Sequence, residues 1–116
     1  MRRQVLVLFI GLGIVLMLSN CVLAQNLKIA DYQFDTQSMG MFHYAGVEGV
    51  VQNVGSKTVS FATIKVNFYD SNNTVVGRDL QTISDLGPGE KWRFKLYYTY
   101  RGPEQVVTSY KIWIRE

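Results

Sequence analysis

Cysteine occurs once in this chain, at Cys21, and histidine once, at His43. A lone cysteine excludes an internal disulfide. A lone histidine, with no cysteine after the leader, leaves acid–base and nucleophilic catalysis poorly supplied. No glycine-rich loop runs from a strand into a helix, so nothing is set up to cradle a phosphate. Outside the N-terminal leader no stretch keeps a helical period, and there is no internal repeat or low-complexity tract. Nor does one sign of charge dominate. The chain has 12 basic and 9 acidic residues, but Arg2 and Arg3 belong to the leader, and what remains is 10 against 9, a net of +1. That balance speaks against nucleic acid and against an anionic membrane surface as partners. The expectation is a protein that is not an enzyme and carries no cofactor.

What is present begins with an address. Met1-Arg2-Arg3-Gln4 is a short basic leader, and Val5 to Leu18 is an unbroken run of apolar residues and glycine. Ser19 to Ala24 then brings small residues, the order expected of a secretory signal peptide. The apolar run is shorter than the roughly 20 residues that span a bilayer comfortably. Three fates stay open: cleavage after Ala24, lipidation of Cys21 at a Leu18-Ser19-Asn20-Cys21 sequence that is similar to a bacterial lipobox, or retention as an anchor helix. Each places residues 25–116 outside the cytoplasm, secreted or in the cell envelope. Residues 1–24 are thus expected to be a signal peptide or membrane anchor, the only part to touch a membrane. Residues 25–116 are expected to form one domain.

In that domain apolar residues take alternate places. Leu27-Lys28-Ile29 and Tyr32-Gln33-Phe34 are strand pieces of opposite parity, which predicts a bulge between them. Asp35 to Gly40 reads as a loop. Gly49, inside the strand Val47–Asn53, predicts a bulge or a close backbone approach. Ile64, Val66 and Phe68 alternate with Thr63, Lys65 and Asn67, placing the first set in the core and the second in solvent. Asp70-Ser71-Asn72-Asn73 is a turn. In Gly87-Pro88-Gly89-Glu90, proline presets φ and Gly89 suits the left-handed place of a type II turn. Trp92, Phe94, Leu96 and Tyr98 then alternate with Arg93, Lys95, Tyr97 and Thr99, and Tyr110, Ile112 and Ile114 with Lys111, Trp113 and Arg115. Six to eight short strands with regular turn signals predict an all-β antiparallel sandwich.

Gly49-x-Val51-x-Asn53, the run Val66-Asn67-Phe68-Tyr69-Asp70, and Leu86-x-Pro88-Gly89-Glu90 with Phe94 resemble the FxLYD domains of exported bacterial and archaeal proteins. The resemblance covers roughly Tyr44 to Tyr98; Val66 stands where that family has Phe, and Phe68 where it has Leu. It implies an immunoglobulin-like β-sandwich, here of about seven strands, and a structural or binding module without catalytic residues.

Two side-chain sets are candidates for chemistry. Met39, Met41 and His43 fall on one face if their segment is extended, and thioether sulfur with imidazole is a set for copper(I). Methionine as a core gap-filler is the competing explanation. Tyr97, Tyr100 and Trp113 form the second set. Tyr97 and Trp113 have outward parity, so if their strands pair they make one aromatic platform, ringed by Lys95, Lys111 and Arg115. Such a platform suits a protein partner in the cell envelope or, alternatively, a glycan. The competing explanation is that a second layer covers these rings.

Overall fold

The computed structural model describes the backbone of residues 5–11, 21–24 and 26–116, and the side chains of 26–116. Among the described residues the chain is all-β, with two antiparallel sheets, each of four strands. The strands are β1 (Val5–Gly11), β2 (Cys21–Ala24), β3 (Leu27–Met39), β4 (Phe42–Asn53), β5 (Val59–Tyr69), β6 (Val75–Leu86), β7 (Lys91–Arg101) and β8 (Ser109–Arg115). The first sheet runs β1-β8-β5-β6 and the second β2-β3-β4-β7. The expected leader helix falls on residues of which 1–4 and 12–20 lie outside the described ones. The described pieces, Val5–Gly11 and Cys21–Ala24, are extended and pair with β8 and β3. A short apolar run is compatible with either helix or strand, so periodicity could not distinguish them.

The alternation read from the sequence sets the core. Ile64, Val66 and Phe68 of β5 and Ile112 and Ile114 of β8 are fully buried against Val47 and Val51 of β4 and Phe94 and Leu96 of β7. The bulge on β3 lies between Ala30 and Gln33, where the register to β4 shifts and Asp31 takes a φ of 53°. Gly49 sits opposite it. A Cβ at Gly49 would lie 2.9 Å from the Tyr32 Cα, so the predicted close approach is there, strand against strand. The turn at Gly87–Glu90 also forms as expected: Gly89 has φ 80°, and the Glu90 N–H donates to the Gly87 carbonyl at 3.0 Å.

One expectation fails. Asp35 to Met39 is not a loop but the continuation of β3, paired with β4 as far as Met39 opposite Phe42. Its side chains are exposed and, as far as Ser38, polar, which is why composition read as a loop; ladder hydrogen bonds to β4 hold it extended. The hairpin closes on two residues, Gly40 and Met41, with Gly40 at φ 60°, the first central place of a type II′ turn.

Asn53 ties the two sheets together. It is fully buried at the end of β4. Its side-chain Nδ2 donates to the Lys57 and Leu86 carbonyls, both at 2.8 Å, and its Oδ1 accepts from the Gly55 N–H at 2.9 Å. Leu86 ends β6 in the other sheet, so one amide spans the gap between the layers.

Candidate functional site

Directly opposed residues of an antiparallel pair point to the same face. The register of β6, β5 and β8 therefore defines three strands of the outer face of the first sheet, with β1 flanking β8 at its edge. Thr63 lies opposite Arg115 and Thr82, Lys65 opposite Trp113 and Leu80, and Asn67 opposite Lys111 and Arg78. Lys65 stands at the centre. Lys111, Arg115 and Arg78 are each its diagonal neighbours, two residues along the adjacent strand.

Among the described residues no carboxylate shares that outward register. The nearby acids face elsewhere. Asp79 accepts from the Leu80 N–H at 2.9 Å and the Tyr97 N–H at 3.0 Å. Asp70 caps its turn through the Asn72 and Thr74 N–H groups. The backbones of diagonal neighbours stand about 7 Å apart, close enough for like charges on them to repel, the more so at low salt. The near-zero net charge of the domain thus conceals a segregated field.

Apolar surface is set among these cations. Leu80 and Phe61 are 57% and 55% exposed, and Trp113 is half-buried. The Lys65 ammonium lies 5.0 Å from the Trp113 ring centroid, and the Lys111 ammonium 5.4 Å from that of Tyr69. Thr63, Lys65, Leu80, Trp113 and Arg115 line a shallow depression of about 340 Å³.

The outer face of the second sheet differs. Lys95 there lies opposite Glu48, and Asp35 opposite Gly46, so charge of both signs is interleaved. Tyr44 stacks on Tyr97 with centroids 6.0 Å apart, and the Lys95 ammonium lies 5.7 Å from the Tyr44 centroid.

The aromatic set expected from sequence is not one platform. Tyr97 is on β7 and Trp113 on β8, strands of different sheets that do not pair. Both have outward parity, but outward from opposite sides of the molecule. Tyr100 points inward. It stacks on Tyr98 with centroids 5.2 Å apart and lies 5.1 Å from the His43 ring. Its hydroxyl donates to Gln105 Oε1 and accepts from the Val106 N–H. Lys95 keeps company with Tyr97, whereas Lys111 and Arg115 flank Trp113.

The methionine–histidine set comes only partly together: Met39 and His43 border one shallow depression of about 350 Å³, and Met41 is not in its lining. The two-residue turn at Gly40 and Met41 breaks the extended segment on which their common face depended. Met39 and Met41 are exposed, while His43 is buried. Both of its ring nitrogens are engaged. Nε2 donates to the Gly102 carbonyl at 2.9 Å, and Nδ1 faces Ser38 Oγ at 2.7 Å. A carbonyl only accepts, so Nε2 carries a hydrogen, and Nδ1 of the neutral ring accepts a hydrogen bond from the Ser38 hydroxyl. No lone pair is left for copper, and His43 pins the β3–β4 hairpin to the end of β7. Cys21 begins β2; its side chain lies outside the described residues.

Sequence reasoning passed over Leu80, Arg78 and Thr82 of this face. Their signal was the alternation Arg78, Leu80, Thr82, Ser84, in which a single apolar residue among polar ones does not tell the core side from the solvent side. Lys65 was placed correctly on the outer side of its strand, though it is half-buried there, and its neighbours depend on which strands flank β5.

No family model matches the chain. The chain is similar to an uncharacterized protein of Methanocaldococcus jannaschii, 44% identical over 66 residues, which make up 57% of this chain and 49% of the relative. The chain thus spans about half the length of the curated relative it matches. Among solved structures, a beta-glucuronidase from glycoside hydrolase family 2 is similar over 63% of this chain and 8% of that chain, with a TM-score of 0.52 at 15% identity. At that identity the likeness concerns the fold alone. The Avr2 effector protein from the fungal plant pathogen Fusarium oxysporum aligns over 95% of this chain and 86% of its own, with a TM-score of 0.39 at 12% identity, a superposition too loose to carry meaning.

Proposed function

We propose that this protein is a noncatalytic binding module that works outside the cytoplasm and meets an acidic component of the cell envelope on the outer face of β6, β5 and β8. The observation that carries this reading is the gathering of Lys65, Arg78, Lys111 and Arg115 around Trp113 and Leu80, with no carboxylate among the described residues of the same register. Repulsion within such a cluster is relieved when an anion sits on it, which makes the face complementary to negative charge. The extracytoplasmic setting rests on the basic leader and the apolar run after it. An immunoglobulin-like arrangement is the finer description of the fold that we favour. Leaving out β1 and β2, the strand orders β3-β4-β7 and β8-β5-β6 match two facing sheets with chain crossovers between them. The FxLYD resemblance rests on its motifs and points the same way.

The test is co-sedimentation of purified protein with envelope fragments from the cells that make it. Lys65→Gln combined with Arg115→Gln should lower the pelleted fraction about tenfold, and Tyr97→Ser, on the opposite face, should leave it unchanged. Equal pelleting of the double variant and the parent would reject this face as the contact. The exchanged side chains stand on a solvent-facing register, so the variants are expected to fold, which the far-ultraviolet spectrum checks.

A further inference from the structure

We infer that the ligand of the β6-β5-β8 face is an acidic polysaccharide, a chain of carboxylated or sulfated sugars that lays a ring on Trp113 and its acid groups among Lys65, Arg78, Lys111 and Arg115. This rests on the reading of that face as the binding surface and adds the chemistry of what binds.

The first ground is extent. Lys111 and Arg115 are four residues apart on β8, about 13 Å along a strand. Arg78 lies across β5 from Lys111, about 10 Å over two strand spacings. A single small anion cannot reach cations so spread, whereas a polymer with repeated acid groups can.

The second ground is the kind of surface. The depression at Trp113 has an indole for its apolar part, a lysine and an arginine at its sides, and the hydroxyl-bearing Thr63 in its lining. Thr82 shares the outward register. A sugar ring presents apolar C–H faces, hydroxyls and, if acidic, a carboxylate or sulfate; each has a counterpart here. Lys65 now lies over the indole. An acid group on the ligand draws that ammonium off the ring, and a sugar takes its place.

The third ground weighs other occupants. Lysine is depleted at the centres of protein–protein interfaces, yet Lys65 is the centre of this face. A lipid surface is entered by a contiguous apolar face, whereas here the exposed Leu80 and Phe61 stand four register positions apart with Lys65 and Thr63 between them, and Trp113 is half-buried in a hollow.

The experiment titrates the purified full-length protein at moderate salt and follows tryptophan emission, with Trp92 as the internal reference on the inward face of β7. The probes are polygalacturonate, dextran sulfate, methyl-esterified polygalacturonate, single-stranded oligothymidine, and phosphatidylglycerol vesicles. One or both of the first two should bind and shift the emission, and the neutral ester should bind about tenfold more weakly or worse. Affinity should fall as salt rises. Trp113→Phe should abolish the spectral shift, and Lys65→Gln with Arg115→Gln should weaken binding about tenfold. Equal binding of ester and acid overturns the inference, as does binding of oligothymidine or vesicles as tight as that of the glycans. Silence of both acidic glycans while envelope co-sedimentation still depends on Lys65 and Arg115 overturns the ligand but keeps the surface. Loss of that dependence as well removes both.

Discussion

Replacing Asn53 by Asp changes one atom and should cost more than removing the side chain beyond Cβ. Asn53 Nδ2 donates to two carbonyls, of Lys57 and Leu86, each at 2.8 Å, and the site is closed to water. In Asn53→Ala those two acceptors and the Gly55 N–H lose their partner. At about 1 kcal/mol for each bond, with a little more for the buried groups left bare, the loss is about 3–4 kcal/mol. In Asn53→Asp an oxygen stands where the donor was. Both carbonyls then face a carboxylate oxygen at hydrogen-bonding distance, and the charge itself is buried, so the loss should exceed that of alanine and reach about 4–6 kcal/mol. Domains of this size hold only about 5–10 kcal/mol in all, so the aspartate variant should be close to unfolded at neutral pH. Urea unfolding followed by tryptophan emission gives the three free energies on one scale. As pH falls from 7 to about 4, the buried carboxyl, whose proton affinity desolvation raises, takes up a proton before the unfolded chain does and regains one donor, so part of the deficit should return. An aspartate variant within about 1 kcal/mol of the parent at pH 7 would refute the claim that this amide joins the sheets by donation.

Gly49→Ala should cost about 2–3 kcal/mol in the same unfolding assay, because the added Cβ meets the Tyr32 Cα at 2.9 Å and backbone cannot swing aside. Tyr110 stacks on Phe34 in the core, and burial, with the Tyr32 phenol as a lesser cause, pushes its own phenol up well beyond the ordinary range. Below about pH 10 both folded and unfolded chains keep that proton and nothing is lost; above it only the unfolded chain ionises, so stability should fall by about 1.4 kcal/mol per pH unit. Comparison of alkaline unfolding in the parent and Tyr110→Phe isolates this slope, which the variant should lack. Calorimetry with copper(I) under reducing conditions should give only background heat, since both His43 nitrogens are engaged and Met39 and Met41 are exposed while His43 is buried. Hydrogen exchange on the full-length chain should protect the β8 amides that face β1, and removal of residues 1–24 should make those amides exchange faster by opening that edge.

The inward and outward rows of β5, β7 and β8 were legible because a strand turns alternate side chains to opposite faces, a local rule. The bulge before Gln33, the close approach at Gly49 and the turn at Gly89 were legible for a similar reason: parity breaks and glycines mark backbone geometry where it occurs. The polar end of β3 was not, since its extended form comes from pairing with β4 and its own residues favour a loop. Asn53 showed as part of a motif, but nothing in it said that its amide would reach Leu86, 33 residues along the chain.

The sequence by itself settled that residues after the leader form strands, which side of each strand is apolar, and where the chain turns. Tertiary structure alone decided which strands are neighbours, and with that which surfaces exist. Parity tells a side chain which side of its own strand to take, not which sheet the strand will join. Trp113 and Tyr97 therefore read as companions and came to lie on opposite faces, while Lys65, Arg78, Lys111 and Arg115, from three strands, came together. Strand pairing is settled by contacts between distant residues, whose closure entropy only the assembled core repays.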